Sequence, residues 1–338
     1  MAIDVSTPVY EGPFDLLLQL ILQEKVDIYE VNLSTVVDRY LVELERMQAL
    51  DLDVTTEFLL IAATLVELKT RRLLPGSTDV DLDEEFALWE ERDLLLKVCL
   101  EHVAGRVPVI VTTSHFSTRV AAERARKAAA AGAAMLMMMP PYHGAALKAD
   151  ETGIIEHYGR VADACGLPIM VQDAPLSGVV LSVPFLVRLA QAVPLVTHFK
   201  IEVPGTAGKL RGLIAAGGSA IQGPFDGEES ITLMADLDAG ARGTMPSALL
   251  PELIKPVVTA HLAGRRTEAA AAYKAILPLI NFENRQCGLR ATKTAMMEGG
   301  VIRSDAVRHP LEAMHPDTRA GLLELAREAN ILALRWGK

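Results

Sequence analysis

Through the first third of the chain, apolar positions recur every three or four residues. In "EGPFDLLLQLILQEKVDIYEV" (11–31), Phe14, Leu17, Leu18 and Ile21 fall on one helical stripe, and Pro13 suits a first helical turn. A second amphipathic helix is predicted from Val31 to Met47, with Ser34 or Asn32 as its cap. A third is predicted from Asp53 to Leu74. Thr55 or Thr56 caps it, Lys69, Arg71 and Arg72 sit where the helix dipole favours cations, and Pro75-Gly76 stops it. The acidic stretch "GSTDVDLDEEFALWEERDLLL" (76–96) then leads into a further helix.

After residue 105 the pattern changes to short apolar runs bounded by Gly and Pro. Strands are predicted at 106–114, 133–142, 167–175, 196–202, 219–225 and 241–248. Helical stretches at 117–132, 150–166, 182–193, 206–218 and 228–240 alternate with them, and helices follow to the end. Six alternations at this spacing predict a parallel α/β fold, and strands apolar throughout suit a sheet covered on both faces. No GxGxxG follows a first strand, so a dinucleotide site is not indicated. A (β/α)8 barrel fits better, although it needs eight units and six are visible.

The strand "VTHFKIE" (196–202) carries the most unusual polar pattern. Strand side chains alternate, so His198, Lys200 and Glu202 share one side and Phe199 and Ile201 the other. That polar side faces either water or the inside of a barrel.

Charge and composition divide the chain at the same place. Residues 1–100 carry 8 Lys and Arg against 21 Asp and Glu, a net of −13, whereas residues 101–338 carry 25 against 22, a net of +3. All eight histidines lie after residue 100. This asymmetry predicts two segments of different origin. Neither has the basic stripe that direct nucleic-acid binding needs. Three separated cysteines (Cys99, Cys165, Cys287) predict neither a disulfide framework nor a metal site, which suits a reducing cytoplasm. No run is long and apolar enough to span a bilayer, and the N-terminus shows no signal pattern. No HxH or HExxH spacing indicates a metal.

The helical text resembles the N-terminal domain of segregation and condensation protein A, the bacterial kleisin. The resemblance rests on "YEGPFDLLLQLILQEKVDIYEV", on the "MQALDLDV" and "EFLLIAATL" core, and on the acidic "LDEE" region. It implies a helical module that binds the neck of an SMC ATPase, with roughly Thr55–Arg72 as the contact helix. The kleisin middle and C-terminal regions are not evident.

From about residue 91 the chain resembles the dihydrodipicolinate synthase/N-acetylneuraminate lyase family, in its L-2-keto-3-deoxyarabonate dehydratase branch. The matching text includes "MPPYHGA", "PIMVQDAPLSG", "FKIEVPG", "GPFDGEE", "LPLINFENRQ" and "MMEGGVIR". The resemblance implies a TIM-type barrel that lacks its first two β/α units, preceded by an all-α segment. The domains expected are residues 1–76, a linker and junction at 77–96, and the partial barrel at 97–338.

The resemblance also assigns roles. Lys200 matches the family's imine-forming lysine, which makes a Schiff base with a 2-keto acid. Desolvation disfavours an ammonium and makes an amine usable as a nucleophile. The imine then draws electrons from C3, so that a 2-keto-3-deoxy sugar acid can lose its C4 hydroxyl as water. Glu202 is either an acid/base group or a structural partner of Lys200. In the turn after the fourth family strand Tyr142 is retained, but His143 replaces a second tyrosine. Gln172 stands where the family's proton-shuttling tyrosine would be, and an amide cannot do acid–base work. Ser114 and His115, at the C-terminal end of the 106–114 strand, fall where TIM-barrel sites sit and are either substrate contacts or loop residues without function, and in "GPFDGEE" either Asp226 or backbone groups are candidates to hold substrate hydroxyls. The chemistry implies no cofactor and no metal, and a complete barrel of this family implies a homo-oligomer, a tetramer.

The two texts meet within Glu91–Leu96, where both contain an "ERDLL"-like stretch. The meeting reads as a join between two proteins, arising by recombination, by an error of gene prediction or assembly, or by deliberate fusion. Three functional readings follow: an impaired lyase, an SMC-binding module, and a fusion in which neither activity fully survives.

Overall fold

In the computed structural model, residues 33–49, 82–143 and 147–337 are described, without the side chains of 33–36, 46–49, 82–91, 143, 147 and 148. The chain divides into two compact units, Met1–Leu95 and Leu96–Lys338. Within the first, α1 (Leu33–Ala49) forms within two residues of its predicted bounds. It buries Val37, Tyr40 and Leu44, one stripe at spacings of three and four. The expected helices beginning near Phe14 and Asp53 lie outside the described residues. Helix α2 (Leu82–Val103) is unbroken through the expected join, because no Gly or Pro interrupts it. No described helix is long and apolar enough to cross a membrane.

The second unit is built on a parallel sheet of five strands, β1 (Ile110–Thr112), β2 (Met135–Met138), β5 (Ile169–Asp173), β6 (Val196–Ile201) and β7 (Gln222–Asp226), lying side by side in chain order. Helices α3 (Thr118–Ala130), α4 (Glu151–Cys165), α5 (Val183–Ala192), α6 (Thr206–Gly217) and the short α7 (Leu233–Asp238) connect or follow the strands. Their starts and stops are written locally. Asp150 accepts from the N–H of Gly153 and Ser182 from that of Phe185, capping α4 and α5. Gly166, at φ 66°, ends α4 in the left-handed conformation. One face of the sheet packs on the helices. Leu136, Met138, Ile169, Val171, Phe199 and Ile201 meet Phe185, Leu189, Leu210 and Leu213, all essentially inaccessible. The alanines of α3 (Ala121, Ala125, Ala128) are buried in the same core.

Helices α8 (Pro251–Leu262), α9 (Arg266–Phe282), α10 (Arg290–Glu298) and α11 (Pro316–Glu328) close the chain. A π-turn, Glu283–Cys287, extends α9.

Four expectations are corrected. The strand expected over 106–114 shrinks to Ile110–Thr112, and Pro108 within that stretch has no N–H to give a ladder. The strand expected over 133–142 ends at Met138, and an unexpected antiparallel hairpin follows, β3 (Tyr142–His143) with β4 (Leu147–Lys148). The helix expected from 228 starts only at Leu233, because Glu229 and Ser230 have positive φ, 54° and 68°. The strand expected over 241–248 reduces to one bridge, Asp226 with Thr244. Three backbone bonds still tie that segment to β7 (Arg242 N to Pro224 O, Asp226 N to Gly243 O, Met245 N to Asp226 O), and then Pro246 interrupts it. Five parallel strands therefore stand where six were expected.

Candidate active site

The alternation of β6 separates its two roles. Phe199 and Ile201 go to the helix-covered face, fully buried. Lys200 goes to the other face, yet keeps only 7% of its surface. A lysine so enclosed needs a partner. Its Nζ lies 3.2 Å from Oε2 of Glu202, two residues on. Gln172 of β5 is directly across from Lys200 in the register. Its Nε2 donates to the same Oε2 at 3.0 Å. Amine, carboxylate and amide thus form one connected group on the side of the sheet away from the helices.

Two backbone features aim this group. Between β6 and β7 the register slips: His198 pairs with Gln222 but Lys200 with Phe225, so β7 carries one extra residue. Gly223, at φ 64°, lies in that bulge, and a Cβ there would meet the Phe225 ring at 2.6 Å. After β7, Gly227 crosses close over the lysine and donates its N–H to Ile201 O at 2.8 Å. A Cβ on Gly227 would lie 2.8 Å from Cβ of Glu202 and 3.0 Å from Cγ of Lys200, so a side chain there would collide with both.

The loop leaving β7 is organised by Asp226, which is fully buried. Its carboxylate accepts from the N–H of Glu228 (2.8 Å) and Ser230 (3.1 Å) and from the Thr244 hydroxyl (2.7 Å). Burial pushes its pKa up, against those bonds and the Lys200 charge. Burial likewise raises Glu228 and Glu229, and the charge of Lys200 opposes the shift of Glu229. Below them, Glu283 on the π-turn is pushed up to about 7 by burial. Chemically, an enclosed amine with a carboxylate on its nitrogen can add to a carbonyl, with that carboxylate placed to hold a proton.

The profile of the Dihydrodipicolinate synthetase family matches residues 84–329, which contain every element of this sheet. The chain belongs to the dihydrodipicolinate synthetase family. It is 56% identical over 257 residues to the L-2-keto-3-deoxyarabonate dehydratase of Azospirillum brasilense, covering 76% of this chain and 83% of the relative. A dihydrodipicolinate synthase from Acinetobacter baumannii, whose crystal structure is a complex with pyruvate, superposes with a TM-score of 0.65 at 26% identity. That alignment covers 72% of this chain and 81% of the other. A second profile, Segregation and condensation protein ScpA, matches residues 20–106, so the two overlap over 84–106, largely within α2. Over 82 residues the chain is 48% identical to segregation and condensation protein A of Desulfitobacterium hafniense. It spans about a third of that relative, 31% of its length.

The remaining sequence-predicted residues of this dihydrodipicolinate synthetase family chain are placed as follows. Tyr142 opens the β3–β4 hairpin after β2 and is half-buried. His143 follows it, and its side chain lies outside the described atoms. Ser114 and His115 sit just beyond β1. The Ser114 hydroxyl accepts from Met139 N–H at 3.0 Å, joining the ends of two strands. Nδ1 of His115 accepts from Ser117 N–H at 3.0 Å, just before α3, and its ring stacks on Phe116. His198 shares the Lys200 face and stacks on Phe225 at 6.3 Å, and burial lowers its pKa. Asp226 organises its own loop, with its oxygens engaged there. Sequence reasoning missed Gly227, Glu229, Ser247 and Glu283. The first two stood inside the quoted "GPFDGEE" text, and Glu283 inside "LPLINFENRQ". Ser247 and Glu283 come from distant segments, and only the fold brings them together.

Proposed function

We propose that residues 97–338 are a Schiff-base lyase of the hydro-lyase type that acts on a 2-keto-3-deoxy sugar acid. The observation that carries this reading is the enclosed Lys200, bonded to Glu202 and registered against Gln172, inside the segment that matches the family. Nζ of Lys200 adds to the C2 carbonyl of the substrate, and the carbonyl oxygen leaves as water, giving an imine. The imine takes up the electron pair when a proton leaves C3. The C4 hydroxyl then departs with a proton as a second water, and hydrolysis of the imine consumes one water, restoring the amine and the C2 carbonyl, for a net loss of one water. Glu202 is the group placed to hold the transferred proton. Tyr142, His143, Ser114 and His115, which follow β1 and β2 in the chain, are the proposed substrate contacts, on the general rule that TIM-barrel sites lie beyond the strand ends. The 56% identity to the dehydratase of Azospirillum brasilense supports the substrate class.

The barrel, on this reading, lacks its first two β/α units. In support, the described sheet begins at Ile110, and the described elements before it are two helices. The proposed division gives residues 1–76 to the kleisin-like module and 77–96 to the junction. By the resemblance, the family's loop after its second strand holds the substrate carboxylate; it falls within the missing units, and misplacement of the substrate by about 1 Å costs on the order of a hundredfold. Turnover is therefore weak, while imine formation at Lys200 survives. Borohydride reduction with pyruvate and peptide mass mapping test this. Label at Lys200, absent in Lys200→Ala, is expected. Label elsewhere overturns the assignment.

A second reading is favoured by the ScpA match over residues 20–106: the helical module docks on an SMC neck. Titration of the full chain with a purified SMC neck fragment tests it. Saturable binding is expected, and none, where an intact kleisin binds, contradicts it.

A further inference from the structure

We propose that Glu283 is a positioning residue of the lysine site, holding Glu229 toward Lys200 through Ser247. The inference rests on Lys200 being the reactive amine, and it adds a residue on an element remote from the strand ends.

The geometry is a chain of two hydrogen bonds. The Ser247 hydroxyl donates to Oε1 of Glu283 at 2.5 Å, and the Ser247 N–H donates to Oε2 of Glu229 at 2.7 Å. One serine therefore links the π-turn after α9 to the loop after β7. The same hydroxyl accepts from Leu249 N–H at 3.2 Å, so its orientation is fixed from both sides. Glu283 keeps only 6% of its surface. Glu229 is held at φ 54° and Ser230 at φ 68°, conformations that a non-glycine residue keeps only when its surroundings impose them. The Asp226 carboxylate imposes one part of this, through Glu228 and Ser230. The Ser247 N–H imposes the other. The carboxylate so fixed lies within the field of Lys200, Glu202 and Asp226. The Tyr273 hydroxyl, from α9, donates to Ser230 O at 2.9 Å and ties the loop to the helix that carries Glu283.

The end of α9 brings Glu283 to this place, and the π-turn begins with it. A five-residue π-turn adds one residue to the helix and turns the side chains that follow.

The proton on Glu283 supplies a readout. Its neighbours are Glu229 from the β7 loop, Ser247 from the segment before α8, Thr292 from α10 and Cys287 from its own turn. Burial holds the carboxyl at about 7, with Glu229 adding to the shift and Ser247 and Thr292 opposing it. Above that pH Glu283 is ionised, and a charged acceptor grips the Ser247 hydroxyl more firmly than a neutral one. The rate of imine trapping should therefore carry a step near pH 7, rising with pH.

The experiment uses the full chain, with pyruvate and borohydride trapping from pH 5.5 to 8.5, and hydrogen exchange read on peptides covering 226–232 and 196–201. Glu283→Gln keeps an acceptor for Ser247 but cannot titrate. It should trap at the wild-type low-pH rate, without the step. Glu283→Ala and Ser247→Ala should each trap about tenfold more slowly and exchange faster over 226–232, with 196–201 unchanged. Wild-type exchange over 226–232 in both alanine variants, or a step near pH 7 retained in Glu283→Gln, overturns the proposal. Trapping unaffected by Lys200→Ala instead overturns the underlying lysine assignment, and the exchange result still decides whether Glu283 holds the loop.

Discussion

Gln172 and Asp173 are adjacent in sequence, and β5 sends them to opposite faces. Gln172 reaches Glu202 beside the lysine. Asp173 goes to the helix side, 1% exposed, where Lys209 of α6 meets its Oδ2 at 2.5 Å and also donates to Leu181 O. Burial outweighs this partner, and the Asp173 pKa stays raised. Removing one member of such a pair leaves the other charge buried without compensation, which costs more than the pair itself contributes. Lys209→Met should therefore destabilise the protein by about 3 kcal/mol, and adding Asp173→Asn should recover part of that loss. Urea denaturation of the two variants checks both statements. The period-two pattern was enough to separate Gln172 from Asp173 and Lys200 from Phe199. It could not supply Lys209, because a helix residue's partner across a sheet depends on packing that no local pattern encodes. The same limit hid Ser247 and Glu283, which lie 36 residues apart in the chain and meet through one hydrogen bond.

Among the elements, the α/β alternation was legible wherever a cap or a glycine marked a boundary. Asp150, Ser182 and Gly166 fix α4 and α5 within a residue or two of expectation. Errors gathered where side chains rewrote the backbone. "DGEESITLM" scans as a helix, but Asp226 captures two of its N–H groups and delays the helix to Leu233. Helix α2 shows a different conflict. Its apolar residues do not collect on one stripe, unlike those of α1, and Leu94, Leu95 and Val98 stand 60%, 64% and 51% exposed. A helix whose two ends answer to two different family patterns has no single face to bury. Leu94→Lys and Val98→Lys should then change stability by no more than about 0.5 kcal/mol while reducing self-association. Denaturant titration beside light scattering tests this, and a loss of several kcal/mol would show that Leu94 and Val98 are buried after all.

At the scale of the whole molecule, two texts with opposite charge balance share one chain, and among the described residues the enclosed amine lies in the second. The dihydrodipicolinate synthetase family match and the ScpA match overlap on α2, where the charge balance and the vocabulary both change. The enclosed amine on β6, its carboxylate and the glycine that closes over them all belong to the second unit. The Schiff-base assignment stands on whether that amine reacts. Incubation of the full chain with pyruvate and borohydride, followed by peptide mass mapping, measures it directly. That assignment predicts one reduced adduct, on Lys200, lost in Lys200→Ala and accompanied by little or no dehydratase turnover. An adduct that persists in Lys200→Ala, or turnover equal to that of a complete relative, would contradict it.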